Sequence, residues 1–259
     1  MRKITDMTAR TPTERVGDCW AKRDDYFYSN GARGGKCRAA KKICSMSSGV
    51  VTYGSRTSPQ GAYTAAAAAD VGVPCIYVCP HGETTPEIEY VKMKKAKVVR
   101  AKPGYLSQCA SVAKRTAESE GYDFVKLSME SNVALDSTRD QVEGSIPKGA
   151  QRIVIVVGGG ISAAALLWGL QDIGLKIPVL GVRIGRDPAK QLDFWCPDGW
   201  ARSMELVTPS EGYNVAVPNV WQGITVDPYY EAKCIPYLQP GDLFWIVGIR
   251  PVIDGKLID

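Results

Sequence analysis

The stretch at 153–170 constrains this chain more than any other. It is uncharged for 18 residues, apolar at both ends, and interrupted by Gly158-Gly159-Gly160. A membrane-crossing helix needs about 20 predominantly apolar residues, and consecutive glycines would weaken any helix. Arg152-Ile-Val-Ile-Val-Val reads instead as a strand buried on both faces. Residues 162–174 have the composition of a helix. The stretch therefore predicts strand, glycine loop and helix, the opening half of a βαβ unit.

The same alternation recurs. Residues 49–53 predict a short buried strand and 60–71 an alanine-rich helix. Strands at 74–79 and 97–100 alternate with helices at 85–95 and 106–120, and 124–127 closes that series. Further strands are expected at 177–183 and 242–247, while 187–235 reads as loops punctuated by Trp, Pro and Gly. Such alternation predicts an α/β protein with parallel-rich sheets flanked by helices. Two lobes are expected, a larger one from 1–47 and 131–259 and a smaller one from 48–130.

Composition narrows the class. With 32 Lys+Arg against 27 Asp+Glu the net charge is +5, and 45% of the 259 residues are hydrophobic, which excludes a disordered chain. The first thirty residues hold no apolar signal core, so a cytoplasmic protein is expected, in the host cytoplasm if the chain is phage-encoded. Eight cysteines are spread through predicted core elements and are expected to be reduced thiols. Cys75-x3-Cys79 with His81, the sole histidine, lacks zinc-site spacing, so no metal is expected. Six basic residues fall within 92–102 with no acid among them. They read as a solvated helix face leading into a strand, or as the footprint of a phosphate-rich partner.

Two segments carry chemistry. Amides at a helix N-terminus are unpaired and bear the positive end of the dipole. Gly158, Gly159, Gly160, Ile161 and Ser162 therefore predict an anion site, with the Ser162 hydroxyl adding a hydrogen bond. No Gly-Lys-Ser/Thr follows, and the G-x-G-x-x-G spacing is absent, so neither a P-loop nor a dinucleotide loop is expected. In the second segment, Lys36 follows a glycine-rich turn and opens a helix expected over 36–46. The helix dipole there and any burial both favour the neutral amine that a Schiff base requires. Beside an anion loop, this suggests pyridoxal phosphate.

These motifs resemble the fold-type II pyridoxal-phosphate enzymes, above all the branch with 1-aminocyclopropane-1-carboxylate (ACC) deaminase and D-cysteine desulfhydrase. Lys22-Arg23-Asp24-Asp25 and Gly35-Lys36-Cys37-Arg38 resemble that branch's K-R-E/D-D and G-N-K-x-R-K. Ser58-Pro59-Gln60 resembles its Q-S-N-H/Q stretch, and 157–170 its G-S-G-G-T-x-A-G. Asp227-Pro228-Tyr229-Tyr230-Glu231-Ala232-Lys233 resembles its D-P-V-Y-E-G-K. The resemblance implies a two-lobed fold, a homodimer, and pyridoxal 5′-phosphate carried by Lys36 as a Schiff base. It further implies that Gly158–Ser162 and Gln60 hold the cofactor, and that Glu231 faces its pyridine nitrogen. Lys36 would act as base, with Ser58 and Tyr230 contacting the substrate carboxylate or moving a proton. Taken alone, Tyr230-Glu231 also reads as a helix start and Ser58 as a cap.

Departures from the pattern are Pro59 and Gly35 at family asparagines, Ile161 among the loop glycines, and a shorter chain. Three functions follow as expectations. The first is a lyase, deaminase, isomerase or decarboxylase acting on a small amino acid. The second is a compact phage-type enzyme that isomerises or decarboxylates an amino acid attached to thymine in hypermodified DNA, which the basic stretch would suit. The third is a non-catalytic cofactor-binding module.

Overall fold

The computed structural model describes residues 2–253 and 255–257. From the N-terminus, β1 (Thr13–Val16) and β2 (Cys19–Arg23) form one hairpin, and β3 (Tyr28–Ser29) and β4 (Ala32–Gly34) a second. Then come α1 (Gly35–Ser45), β5 (Val50–Tyr53), α2 (Pro59–Val71), β6 (Cys75–Pro80) and α3 (Pro86–Met93). β7 (Lys97–Ala101), α4 (Leu106–Glu120), β8 (Asp123–Val125) and α5 (Asn132–Arg139) follow. The next βαβ unit is β9 (Arg152–Val157), α6 (Ile161–Asp172) and β10 (Val179–Arg183). The chain closes through α7 (Ala189–Trp195), β11 (Met204–Val207), the short pair β12 (Val220–Trp221) and β13 (Ile224–Thr225), and β14 (Asp242–Ile246).

The chain divides into two compact units. Unit one takes residues up to Met7, Phe27–Ala134 and the residues from Arg250 on; unit two takes Thr8–Tyr26 and Leu135–Ile249. Helix α1 thus belongs with the 48–130 segment, where the sequence reading had placed it with 131–259. The physical reason is local: α1 packs chiefly on α2, and its buried Cys37, Ala39, Ala40 and Cys44 supply the apolar side.

Unit one is built on a parallel sheet ordered β7-β6-β5-β8. Successive side chains on a strand face opposite sides, and here the two sides are easily told apart. Ile76 and Val78 join Cys109, Ala113 and Ala117 of α4 in one apolar cluster. Tyr77, between them, faces α2, since a Cβ on Gly61 would lie 2.7 Å from its ring. Helix α2 starts at the Ser58 cap, whose hydroxyl accepts Gln60 N–H at 3.3 Å, with Pro59 in the first turn.

Unit two holds a six-stranded sheet ordered β1-β2-β14-β9-β10-β11, parallel except for the β1–β2 pair. Its central strands are buried along their length, from Ile153 to Val157 and from Leu243 to Ile246, as parallel strands covered on both faces are. The Lys22-Arg23-Asp24-Asp25 motif lies at the end of β2, and all four residues are buried. Lys22 Nζ donates to Thr11 Oγ1 at 2.7 Å and lies 3.8 Å from Asp24, which in turn accepts Trp245 Nε1–H at 3.0 Å. Arg23 grips Asp25 through two bonds of 2.9 and 2.7 Å. Four charges are thus satisfied among neighbours of their own unit, as burial requires.

The alternating elements over 49–183 fall where the sequence predicts them, with ends shifted by a few residues. The hairpin at 13–23, helix α5 and edge strand β11 were not expected. No helix among the described residues is long and apolar enough to cross a membrane.

Candidate active site

The sequence-predicted residues fall into two sets, one in each unit. In unit two, β9 ends at Val157 and α6 begins at Ile161, so Gly158, Gly159 and Gly160 form the turn between them. This is the carboxyl end of a parallel sheet, where open α/β folds bind ligands. Gly160 adopts φ +92°, and a Cβ there would lie 3.0 Å from Leu192 Cδ2, so a larger residue would be strained in backbone and crowded by that leucine. No side chain caps α6, and its first backbone bond runs from Ala164 N–H to Gly160 O. The amides of 161–163 precede that bond and remain available. Ser162 is 9% exposed, and its hydroxyl has no hydrogen-bond partner among the described residues. Ile161 buries its side chain in the core, so only its amide can serve this turn.

The Asp227–Lys233 segment is folded by its own side chains. Asp227 accepts Tyr229 N–H at 2.9 Å, and a 3-10 helix then runs over Glu231–Tyr237. The turn leaves Tyr230 half-buried while Glu231 and Lys233 point inward, at 4% and 1% exposure. Tyr230 lies against the glycine turn: a Cβ on Gly158 would be 3.5 Å from its Cε1. Its hydroxyl is 3.1 Å from that of Tyr213, and the two rings meet edge to face. Lys233 Nζ donates to the carbonyls of Gly212 at 2.8 Å and Tyr213 at 3.3 Å, which fixes the strand of chain carrying that phenol. Glu231 accepts Gly248 N–H at 3.3 Å. Burial, and then Glu231, push the neighbouring Cys234 thiol well up.

Tyr213 was missed by the sequence reading. It sits in the stretch read as loops and belongs to no motif, so only the folded backbone joins it to Tyr230.

In unit one, Lys36 is the second residue of α1 and is half-buried. The chain reaches it through Gly34 at φ +114°, a conformation open to glycine and costly for other residues, which turns β4 directly into the helix. Ser58 is the cap of α2, as its simpler reading held, with its own hydroxyl hydrogen still free to donate. Gln60 is held by three hydrogen bonds. Its amide donates to Thr52 Oγ1 and Lys126 O, both at 2.8 Å, and accepts Ser128 N–H at 2.6 Å. It ties α2 to β5 and the 126–128 turn, and its amide hydrogens are spent there.

Cys75 and Cys79 both lie on β6. Four residues along a strand separate them by roughly 13 Å, too far to share one tetrahedral ion. The basic stretch is largely engaged within unit one. Lys92 pairs with Glu89 at 3.2 Å and Lys97 with Glu120 at 3.6 Å. Lys94 bonds Asn30 Oδ1 at 3.3 Å, and Arg100 bonds Pro80 O at 3.3 Å.

No family model and no curated protein matches the chain. Solved structures do. An ACC deaminase homologue superposes with a TM-score of 0.78 at 19% identity, over 95% of this chain and 92% of that one. Maize serine racemase gives 0.67 at 17%, over 95% and 90%. A pyridoxal 5′-phosphate-dependent aspartate racemase gives 0.64 at 14%, over 95% and 92%. Identities this low establish the fold.

Proposed function

We propose that this chain, which has the two-unit α/β fold shared by these structures and named fold-type II, binds pyridoxal 5′-phosphate and carries out carbanion chemistry on an amino acid. One observation carries the reading: an uncapped helix start, a glycine turn and a partnerless, largely buried Ser162 hydroxyl together fit a phosphate group. The order of motifs and the likeness to a pyridoxal 5′-phosphate-dependent aspartate racemase point the same way. The reaction would be a deamination, elimination, isomerisation or decarboxylation.

When bound, pyridoxal phosphate supplies an electron sink that stabilises negative charge at the substrate's α carbon. The amides of 161–163 and Ser162 Oγ would hold its phosphate, and Glu231 would hold a proton at its pyridine nitrogen. Lys36 would bind its aldehyde carbon and move the proton at the substrate's α carbon. Ser58 can donate its hydroxyl hydrogen to a substrate carboxylate. Tyr230 and Tyr213, 3.1 Å apart, can pass a proton between them.

The test is the visible absorbance of the purified chain mixed with pyridoxal phosphate, followed by borohydride reduction and peptide mapping. Covalent label on the Lys36 peptide, absent in Lys36→Ala, is the expected result. Label spread over surface lysines, or retained in Lys36→Ala, would sink the reading. An amino acid carried on DNA is the competing substrate; phosphate contacts weaken steeply with salt whereas a small zwitterion responds little, so the salt dependence of substrate response separates the two.

A further inference from the structure

Two arginines in unit one have no role in the chemistry above. Arg56 lies in the loop between β5 and α2, two residues before Ser58, and Arg100 lies near the end of β7. Both reach the turn that follows β6. Arg56 lays its guanidinium on the bare face of Gly82, where a Cβ would come within 2.9 Å of Cζ, and donates to Glu83 O at 3.0 Å. Arg100 donates to Cys79 Sγ at 3.2 Å, Pro80 O at 3.3 Å and Thr84 Oγ1 at 3.5 Å. Their charges converge on one point: burial pushes the Cys79 thiol up, while Arg100 and Arg56 both pull it down.

Neither has a carboxylate within ion-pair distance among the described residues; every bond they make is to a carbonyl, a hydroxyl or a thiol. Both are half-buried. Two convergent cations without a carboxylate partner attract an anion to the turn they share. A guanidinium fork matches carboxylate and phosphate oxygens. Arg56 spends one of its five N–H donors on the Glu83 carbonyl. The hydroxyls of Ser55 and Thr57, 3.4 Å apart, belong to the same loop. All of these groups gather at the carboxyl ends of β5, β6 and β7, the ligand end of a parallel sheet.

We propose that Arg56 and Arg100 form an oxyanion subsite for a second acidic group on the substrate, so that the preferred substrates are acidic amino acids. Naming them substrates rests on the proposed function; the anion site in unit one stands apart from it. The expected ligand carries a side-chain carboxylate or phosphate in addition to the α-carboxylate that Ser58 would meet.

The first arm titrates the cofactor-loaded protein with L-aspartate, L-glutamate and phosphoserine against L-alanine and L-serine, reading visible absorbance. Acidic amino acids should act at least about tenfold lower in concentration, as a charge-assisted bond implies. The ratio should collapse toward one in Arg56→Met and Arg100→Met, and return in part in Arg56→Lys. Lys92→Met, which removes a nearby cation paired with Glu89 on α3, should keep it. Whether aspartate and glutamate or phosphoserine gives the larger ratio distinguishes carboxylate from phosphate. The second arm needs no cofactor: phenylglyoxal labelling with peptide mapping, in the presence of succinate or inorganic phosphate. Protection of Arg56 and Arg100 supports the site even if no amino acid alters the spectrum, the outcome that would instead overturn the enzymatic reading. Equal responses to aspartate and alanine, or unprotected arginines, overturn the subsite. Protection by an oligonucleotide with none by succinate overturns it in favour of a nucleic-acid phosphate.

Discussion

Asp70 sits in the last turn of α2, where the helix dipole disfavours a carboxylate. It is kept there by Ser29 Oγ and Lys41 Nζ, each at 2.8 Å. Burial alone would raise its pKa, but the Lys41 and Ser29 bonds outweigh it and hold the carboxyl below its ordinary 3.8. A depressed folded pKa gives stability that is complete above the unfolded value and is lost as pH falls through the folded one. Asp70→Asn should therefore cost roughly 1 kcal/mol at neutral pH. In urea unfolding, that gap should close progressively as pH falls from about 5 through the ordinary 3.8 and on through the lowered folded value; a gap independent of pH would contradict the assignment. Residues of this kind were poorly legible beforehand. Lys36, Ser162, Tyr230 and Glu231 could be named because motif order singled them out. Ser58 and Gln60 were named too, yet the hydrogen-bond geometry at the start of α2 decides what each can still do. Tyr213 gave no local signal at all.

Among the elements, α6 illustrates two opposed effects. Gly169 lies inside it, where alanine would normally be favoured by about 1 kcal/mol. A Cβ there would stand within 2.6 Å of two Val142 side-chain atoms and 3.1 Å from Arg139 O. Overpacking of that kind costs about 1–3 kcal/mol, and the backbone carbonyl offers no easy escape. Gly169→Ala should therefore lower the melting temperature by a few degrees, and adding Val142→Ala should restore much of it. Full additivity of the two losses would contradict the contact. The same contest explains what was readable. β9 and α4 emerge with their predicted bounds because apolar runs and alanine spacing govern them. β1 reads Thr-Glu-Arg-Val, a polar edge, and β2 buries Lys22 and Arg23, so neither follows an apolar pattern. Their strand character comes from tertiary partners, Asp24, Asp25 and Thr11, that periodicity cannot register.

For the molecule as a whole, a ligand that binds only the folded chain stabilises it by mass action. Pyridoxal phosphate at a hundredfold excess over its dissociation constant should add about 2.7 kcal/mol, raising the melting temperature by several degrees. Ser162→Ala should shift that dependence to higher cofactor concentration, and an unshifted curve would remove the serine from the phosphate site. The α/β class and the parallel sheets were legible throughout. The division into units was not, since α1 packs on α2 while the motif ahead of it, Lys22–Asp25, is buried in unit two. The six-stranded sheet also sets a timetable. β2 pairs with β14, whose Phe244 lies about 220 residues beyond its partner Ala21. At roughly 5–20 residues per second, a ribosome exposes β2 for tens of seconds before its neighbour exists. During that interval the hairpin offers an open strand edge to other nascent chains. Holding chaperones, or slower crowding of polysomes, should govern the yield of this protein more than its final stability does.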